Sequence, residues 1–394
     1  MRHTTIVPLI TSLVLTLGLT ACGGKKDEAA KGEAKADGGA AKSDEAKADG
    51  GEAKADGGEA KPAAAVSGAV PKGRGAADND KTVLAALAGL EACKLNMEEE
   101  DIDECEGYDK FSDALVAAEE KDAKAVDRTL INLLGDDKEV VRFAAADLLG
   151  DTWEEDEALI GTMLAALGAE KNVAVAKEIA YAINSGVDSE KLYGKFLPNL
   201  QAALVQVTEY DVFDTLYPHV SDCADAKACG GLLVAVAKGG AALDVRSYAA
   251  GEALDLEHYD AEACKAAAAL VPELSKQPVP KDDDDSVEFF PQEDAGELID
   301  GLGELQIGDD EAKAETCAAV IPGMIDALMP QVTDGTIHED VVDAVLYLGD
   351  DGVKKADYMD KVKAFATAVE GSAKITNKDI KEEAKNALED WKEG

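Results

Sequence analysis

Basic side chains are in short supply in this 394-residue chain: 39 Lys and Arg stand against 81 Asp and Glu, a formal charge of −42. The deficit is uneven. Residues 23–76 carry 10 basic and 10 acidic residues, whereas 77–394 carries 28 against 71. A folded region so negative repels nucleic acid and anionic lipid surfaces at long range, and favours basic partners or cations. Aromatics are only 5% of the chain, with Ala and Leu dominant, which suits closely packed helices better than a β-sandwich. Histidine is also scarce, with four residues. His3 stands near the start, His219 follows a proline, and His258 and His338 fall in polar turns. There is no HExxH, nucleophile elbow, P-loop or Gly-rich strand-to-helix turn. Carboxylate pairs are too frequent for any one to stand out, so no catalytic, cofactor or metal residue is nominated, and the chain reads as non-enzymatic. The acidic stretches Glu98–Glu106 and Asp282–Asp285 lack the Asp-x-Asp-x-Asp-Gly register, and imply weak, diffuse cation association at most.

Long apolar runs are absent except at the beginning. Ile6 to Leu19 is an apolar run of 14 residues. It is shorter than the ~20 that span a bilayer, and matches a secretory apolar core. It ends in Leu19-Thr20-Ala21-Cys22, which resembles the lipobox of bacterial lipoproteins. The resemblance implies cleavage before Cys22 and acylation of that residue, with Gly23 at the next position favouring the outer membrane. Each buried methylene contributes about 0.8 kcal/mol, so a multiply acylated cysteine makes a lasting anchor. Beyond it, EAKADGG occurs at Glu33–Gly39, Glu45–Gly51 and Glu52–Gly58. One small apolar residue type, balanced charge and a Gly pair bury too little surface to offset ordering entropy, which predicts a disordered tether. As a flexible coil its 54 residues reach roughly 40 Å root-mean-square.

From Asp80 onward the pattern is helical, with short turns and few strand signals. In Asp136-Asp137-Lys138-Glu139-Val140-Val141-Arg142, continuing to Gly150, the aspartates fit a helix start. Val141, Ala145, Leu148 and Leu149 make an apolar face, and Gly150 fits the end. Ala125 to Leu134 is the expected partner helix. This stretch resembles the second helix of a HEAT repeat, in which an Asp before the helix and a Val-Arg pair inside it recur. The resemblance implies that Arg142 bonds to Asp136, or to the aspartate of a neighbouring repeat, in a polar ladder. Lys177 and Arg246 occupy similar settings without an aspartate six residues earlier. The steps 142, 177 and 246 fit repeats of about 35 residues, with the middle one near Tyr210-Asp211-Val212-Phe213 lacking a basic residue. The Trp-Leu-Gly-Tyr pattern of tetratricopeptide repeats is absent. Segment 338–350 echoes 138–151 with Asp in place of Arg, and Asp379–Ala384 reads as a polar capping helix. Between these parts, Pro278, Pro280 and the run Asp282–Asp285 forbid a helix, while Phe289-Phe290 fits either a partner contact or a loop that tucks its rings onto the array.

Seven cysteines less Cys22 leave Cys93, Cys105, Cys223, Cys229, Cys264 and Cys317, an even count in an exported chain that suggests disulfides. A Cys93–Cys105 bridge would pin a hairpin that its acidic loop otherwise pushes apart. Cys223 with Cys229 and Cys264 with Cys317 is one pairing of the other four, and Cys264 with either Cys223 or Cys229 remains open. His219, Cys223 and Cys229 lie close in sequence, but not at the spacing of a zinc finger or ribbon.

These readings divide the chain into a signal peptide (1–21), a lipidated cysteine and tether (22–76), HEAT-like helical repeats (77–276), an acidic Pro-containing insertion (277–294), and C-terminal repeats with a cap (295–394). The expected architecture is all-α, a helical-hairpin array. The expected function is a non-enzymatic, envelope-anchored scaffold for a basic protein or peptide, touching membrane only through its lipid. A cation-binding or structural envelope protein is the alternative. A lyase-type enzyme, suggested by a few HEAT-like proteins, comes third, because no His, Cys and Ser converge.

Overall fold

The computed structural model describes residues 68–394 apart from 97–100, 103, 150–152, 154–155, 219–222, 256–260, 280–288, 308–310, 351–352, 354–355 and 394. The apolar run, Cys22, the EAKADGG copies, Glu98–Glu100, Gly150, His219, His258 and Asp282–Asp285 lie outside the described residues.

The described chain is all-α. The helices run α1 (Lys81–Leu90), α2 (Glu106–Leu133), α3 (Glu139–Asp147), α4 (Glu157–Ala169), α5 (Val173–Gly186), α6 (Ser189–Leu192), α7 (Leu197–Leu204), α8 (Tyr210–Leu216) and α9 (Ala226–Ala237). They continue as α10 (Leu243–Asp255), α11 (Ala261–Leu274), α12 (Pro291–Glu304), α13 (Glu311–Ala318), α14 (Ile321–Asp334), α15 (Glu339–Tyr347), α16 (Ala356–Gly371) and α17 (Lys378–Glu393). Local chemistry explains many of the starts. Asp80, Asp156, Asn172, Asp188 and Asp225 each accept a backbone amide of their own first turn. Pro lies in the first turn of α7, α12 and α14, where its missing N–H costs nothing. Inside α2, Asp122 leaves helical geometry and its Oδ1 accepts the Ala125 amide at 3.1 Å, so the helix bends there. The arm after the bend contains the partner helix expected over Ala125–Leu134.

The only strands among the described residues, β1 (Leu95–Asn96) and β2 (Asp101–Ile102), pair antiparallel between Cys93 and Cys105. All three disulfides form: Cys93–Cys105, Cys223–Cys229 and Cys264–Cys317, with Cα separations of 5.8, 6.5 and 5.3 Å. The third joins α11 to α13, so the alternative that put Cys264 with Cys223 or Cys229 does not occur.

Packing orders the helices in two rows. In one, α3 touches α5, and contact passes to α8, α10, α12, α15 and α17 in turn. In the other, α2 is followed by α4, α7, α9, α11, α14 and α16. The first row begins its helices at 139, 173, 210 and 243, and then at 291, 339 and 378, where the connections are longer. Between the rows lies one continuous core of mostly Ala, Val, Leu and Ile, with Phe111, Phe196, Phe213 and Phe365 as its large pieces. Helix α12 begins at Pro291, inside the segment read as an insertion, and packs on α11. No helix among the described residues is long and apolar enough to cross a membrane.

Candidate functional site: an acidic groove with an aromatic end

The basic residues expected in a ladder are tied to carboxylates, but not to that of Asp136. Arg142 donates to both Glu170 carboxylate oxygens at 2.7 and 3.0 Å, and to the Asp136 backbone carbonyl at 2.9 Å. Lys177 pairs with Asp211 at 2.7 Å. Arg246 donates to both oxygens of Glu273 at 3.0 Å, and to the Ala237 carbonyl at 3.1 Å. Each basic residue therefore reaches forward to an acid farther along the chain, and the two arginines also satisfy a carbonyl behind them. The Asp136 side chain does something else. Helix α3 starts two residues later than expected, with Lys138 as its first flanking residue. Asp136 thus accepts the Lys138 amide at 3.0 Å and is held by Arg74 through two bonds of 2.7 Å. Burial pushes its carboxyl up, but the Arg74 and Lys138 hydrogen bonds outweigh that and keep it below its ordinary value. Arg74 also bonds to Glu91, so the segment before α1 is stapled to the end of α1 and to the turn before α3.

A different surface, among the described residues, carries acids and tyrosines and no basic side chain. Helix periodicity produces it. Along α10, residues 244, 248, 252 and 255 fall on one side, which places Asp244, Tyr248, Glu252 and Asp255 together while Val245, Ala249 and Ala253 face the core. Along α12 the same spacing places Asp294, Glu297, Asp300 and Glu304 together over a core face of Ala295, Leu298, Ile299 and Leu302. On α15 the stripe is Asp340, Asp343 and Tyr347. Gly296 lets α15 come close: a Cβ there would sit 3.2 Å from the Asp340 carbonyl oxygen. The three stripes lie side by side because α10, α12 and α15 are consecutive in their row.

Two clefts run between them. One, of about 420 Å³, lies between α10 and α12, and the other, of about 590 Å³, between α12 and α15. Glu297, Asp300 and Glu304 line both, so the clefts flank one row of carboxylates. Among the described residues, neither cleft is lined by a Lys, Arg or His. Burial, reinforced by Glu297, Glu293 and Asp244, raises the Asp294 carboxyl to about 6, against a bond from Ser247. Burial, then Glu304 and Glu297, raises Asp300. Burial, then a hydrogen bond to Glu383 of α17 and its charge, raises Asp343 to about 7. One oxygen of Asp300 is buried without a hydrogen-bond partner. Carboxylates in low-dielectric walls focus negative potential into the groove.

At the α8 end the groove meets rings. Tyr210 and Tyr248 stand edge-to-face with centroids 5.0 Å apart, and the Tyr248 hydroxyl lies 3.2 Å from that of Tyr217. Phe289 packs half-buried beside them, whereas Phe290 is 37% exposed.

Sequence reading missed this groove because acids are abundant along the chain, which hides the few that align. The usable signal was the 3–4-residue acidic spacing in 244–255, 294–304 and 340–347. Among the described residues no three His, Cys, Asp or Glu side chains converge closely enough to hold a metal ion. Comparison with protein-family models, with curated proteins and with solved structures finds no match to any of them.

Proposed function

We propose that this chain is an outer-membrane lipoprotein, anchored through Cys22, whose HEAT-like array acts as a non-enzymatic scaffold for a basic segment of a partner protein. The observation that carries the reading is the groove along α10, α12 and α15, where the desolvated carboxyls of Asp294, Asp300 and Asp343 have no Lys, Arg or His beside them in the described lining. Ionised groups in that position destabilise the free protein, and a cationic partner relieves the penalty on binding. The apolar run ending in Leu19-Thr20-Ala21-Cys22 supports the anchor, and the neutral EAKADGG stretch supports reach from the membrane. The two-row order of helices supports the repeat reading, since stacked hairpins expose long continuous surfaces.

Cross-linking in intact envelopes, followed by capture of the lipidated chain, tests the reading. A Cys22→Ala form and a Glu297→Lys/Glu304→Lys form are run beside it. The native form is expected to capture a partner that the groove variant loses, and the Cys22→Ala form is expected to leave the membrane fraction. A groove variant that captures the same partners, or native chain that captures nothing above background, overturns the scaffold role.

A further inference from the structure

The aromatic end of the groove differs in kind from the open carboxylate clefts. A separate pocket of about 310 Å³ is lined by Tyr210 from α8, Asp244 and Tyr248 from α10, Phe289 just before α12, and Asp294 within it. The two tyrosine rings in its wall pack edge-to-face, at 81° to each other. The wall formed by Tyr248 is fixed from behind. Its hydroxyl lies 3.2 Å from the Tyr217 hydroxyl, and the buried Tyr217 ring stacks on Phe213 at a centroid distance of 5.3 Å. Burial raises the Tyr210 and Tyr248 hydroxyls above their ordinary value, so both rings stay neutral phenols with electron-rich faces.

Ring faces attract a cation lodged against them, and more strongly once water is excluded, while two carboxylates accept its N–H bonds. The volume lies at the low end of the ~300–1,000 Å³ of small-molecule sites, room for one side chain rather than a helix. A metal ion is disfavoured because two carboxylates fall short of the roughly six or more oxygens that Ca²⁺ or Mg²⁺ takes, and the ring faces supply none. A planar guanidinium needs a broad open ring face to stack on, and the edge-to-face contact of Tyr210 with Tyr248 covers part of one, whereas a compact ammonium needs only a small patch of ring beside the carboxylates. We infer that this pocket receives one primary alkylammonium group, the side-chain end of a lysine in the basic segment that the groove takes up. The assignment rests on the groove reading and sharpens it: the clefts supply charge, and the pocket selects lysine.

The test uses the full chain, with hexalysine, hexaarginine and cadaverine as probes and isothermal titration as the readout. Phe289→Ala and Asp294→Asn are expected to weaken hexalysine roughly fivefold and to weaken cadaverine as well. Glu304→Gln, outside the pocket, is expected to weaken hexalysine and leave cadaverine unchanged. Circular dichroism checks each fold, and Phe289→Leu, which keeps bulk without a ring face, replaces Phe289→Ala should that variant unfold. If cadaverine binds with this sensitivity but hexalysine does not, the pocket stands and the groove reading fails. The pocket assignment is overturned if hexalysine responds to Glu304→Gln but not to Phe289→Ala, if hexaarginine matches hexalysine with the same dependence on Phe289, or if no probe binds.

Discussion

Replacing Asp294 with Asn should make the protein more stable at neutral pH, against the usual direction for a substitution in a packed helix. The carboxyl sits on α12 with Ser247 as a hydrogen-bond partner, and burial beside Glu297, Glu293 and Asp244 raises it from 3.8 to about 6. An unscreened displacement of that size penalises the ionised form by about 3 kcal/mol. The side chain is only partly buried, so solvent screening reduces this to about 1 kcal/mol. The sign follows from proton uptake. The folded value lies above the unfolded one, so the folded chain holds more protons between about pH 4 and 6. Stability contributed by this group is therefore present at low pH, falls as pH rises through that window, and levels off above it. Asn keeps the acceptor for Ser247 and removes the charge. Thermal melts of native and Asp294→Asn protein across pH 4 to 8 should coincide at the acid end and separate by about 1–3 °C at the neutral end, with the variant higher. A variant that melts lower at neutral pH, or a separation that does not depend on pH, would refute the claim that this carboxylate is held at an energetic loss. The same experiment bears on function, since a loss retained in the free protein is what a cationic ligand would reverse.

Arg142→Ala should cost about 2–4 kcal/mol in urea unfolding, because Glu170, with a side chain only 4% exposed, keeps its charge and loses its two arginine bonds. The Arg142→Met/Glu170→Gln double variant should lose less than the two single changes summed. Removing the Cys264–Cys317 bridge should destabilise by about 4 kcal/mol and the Cys93–Cys105 bridge by about 3, since the closed loops span 53 and 12 residues. Calorimetry of the paired Ser variants checks that order. Gly107→Ala should cost about 2 kcal/mol or more, because its Cβ would fall 2.2 Å from the Gly89 carbonyl oxygen where α1 crosses α2. Gly231→Ala in α9, where a Cβ meets nothing within 4 Å, should instead stabilise by about 0.5–1 kcal/mol.

Much of this protein is legible from short-range chemistry. Ala- and Leu-rich stretches with apolar residues three and four apart specify helices whatever surrounds them, and Asp or Asn followed by such a stretch marks where several begin. The even cysteine count after Cys22, and the hairpin between Cys93 and Cys105, are equally local facts. Arg142 shows where that kind of reading ends. Its spacing from Asp136 suggested a bond between the two side chains, yet the carboxylate it grips belongs to Glu170, 28 residues on, and the Asp136 carboxylate is taken by Arg74, 62 residues before it. Partner choice among so many acids depends on which chain segments the packing brings within 3 Å. The groove is of the same kind. Each acidic stripe is visible in its own helix, but α10, α12 and α15 become neighbours only through stacking, and burial then sets Asp294 and Asp343 apart from the other acids. Composition and periodicity by themselves determined an all-helical, acidic chain with paired cysteines, because helix formation and charge are properties of neighbouring residues. Tertiary structure alone decided which carboxylates stand together, because that depends on distance and dielectric between residues far apart in the chain.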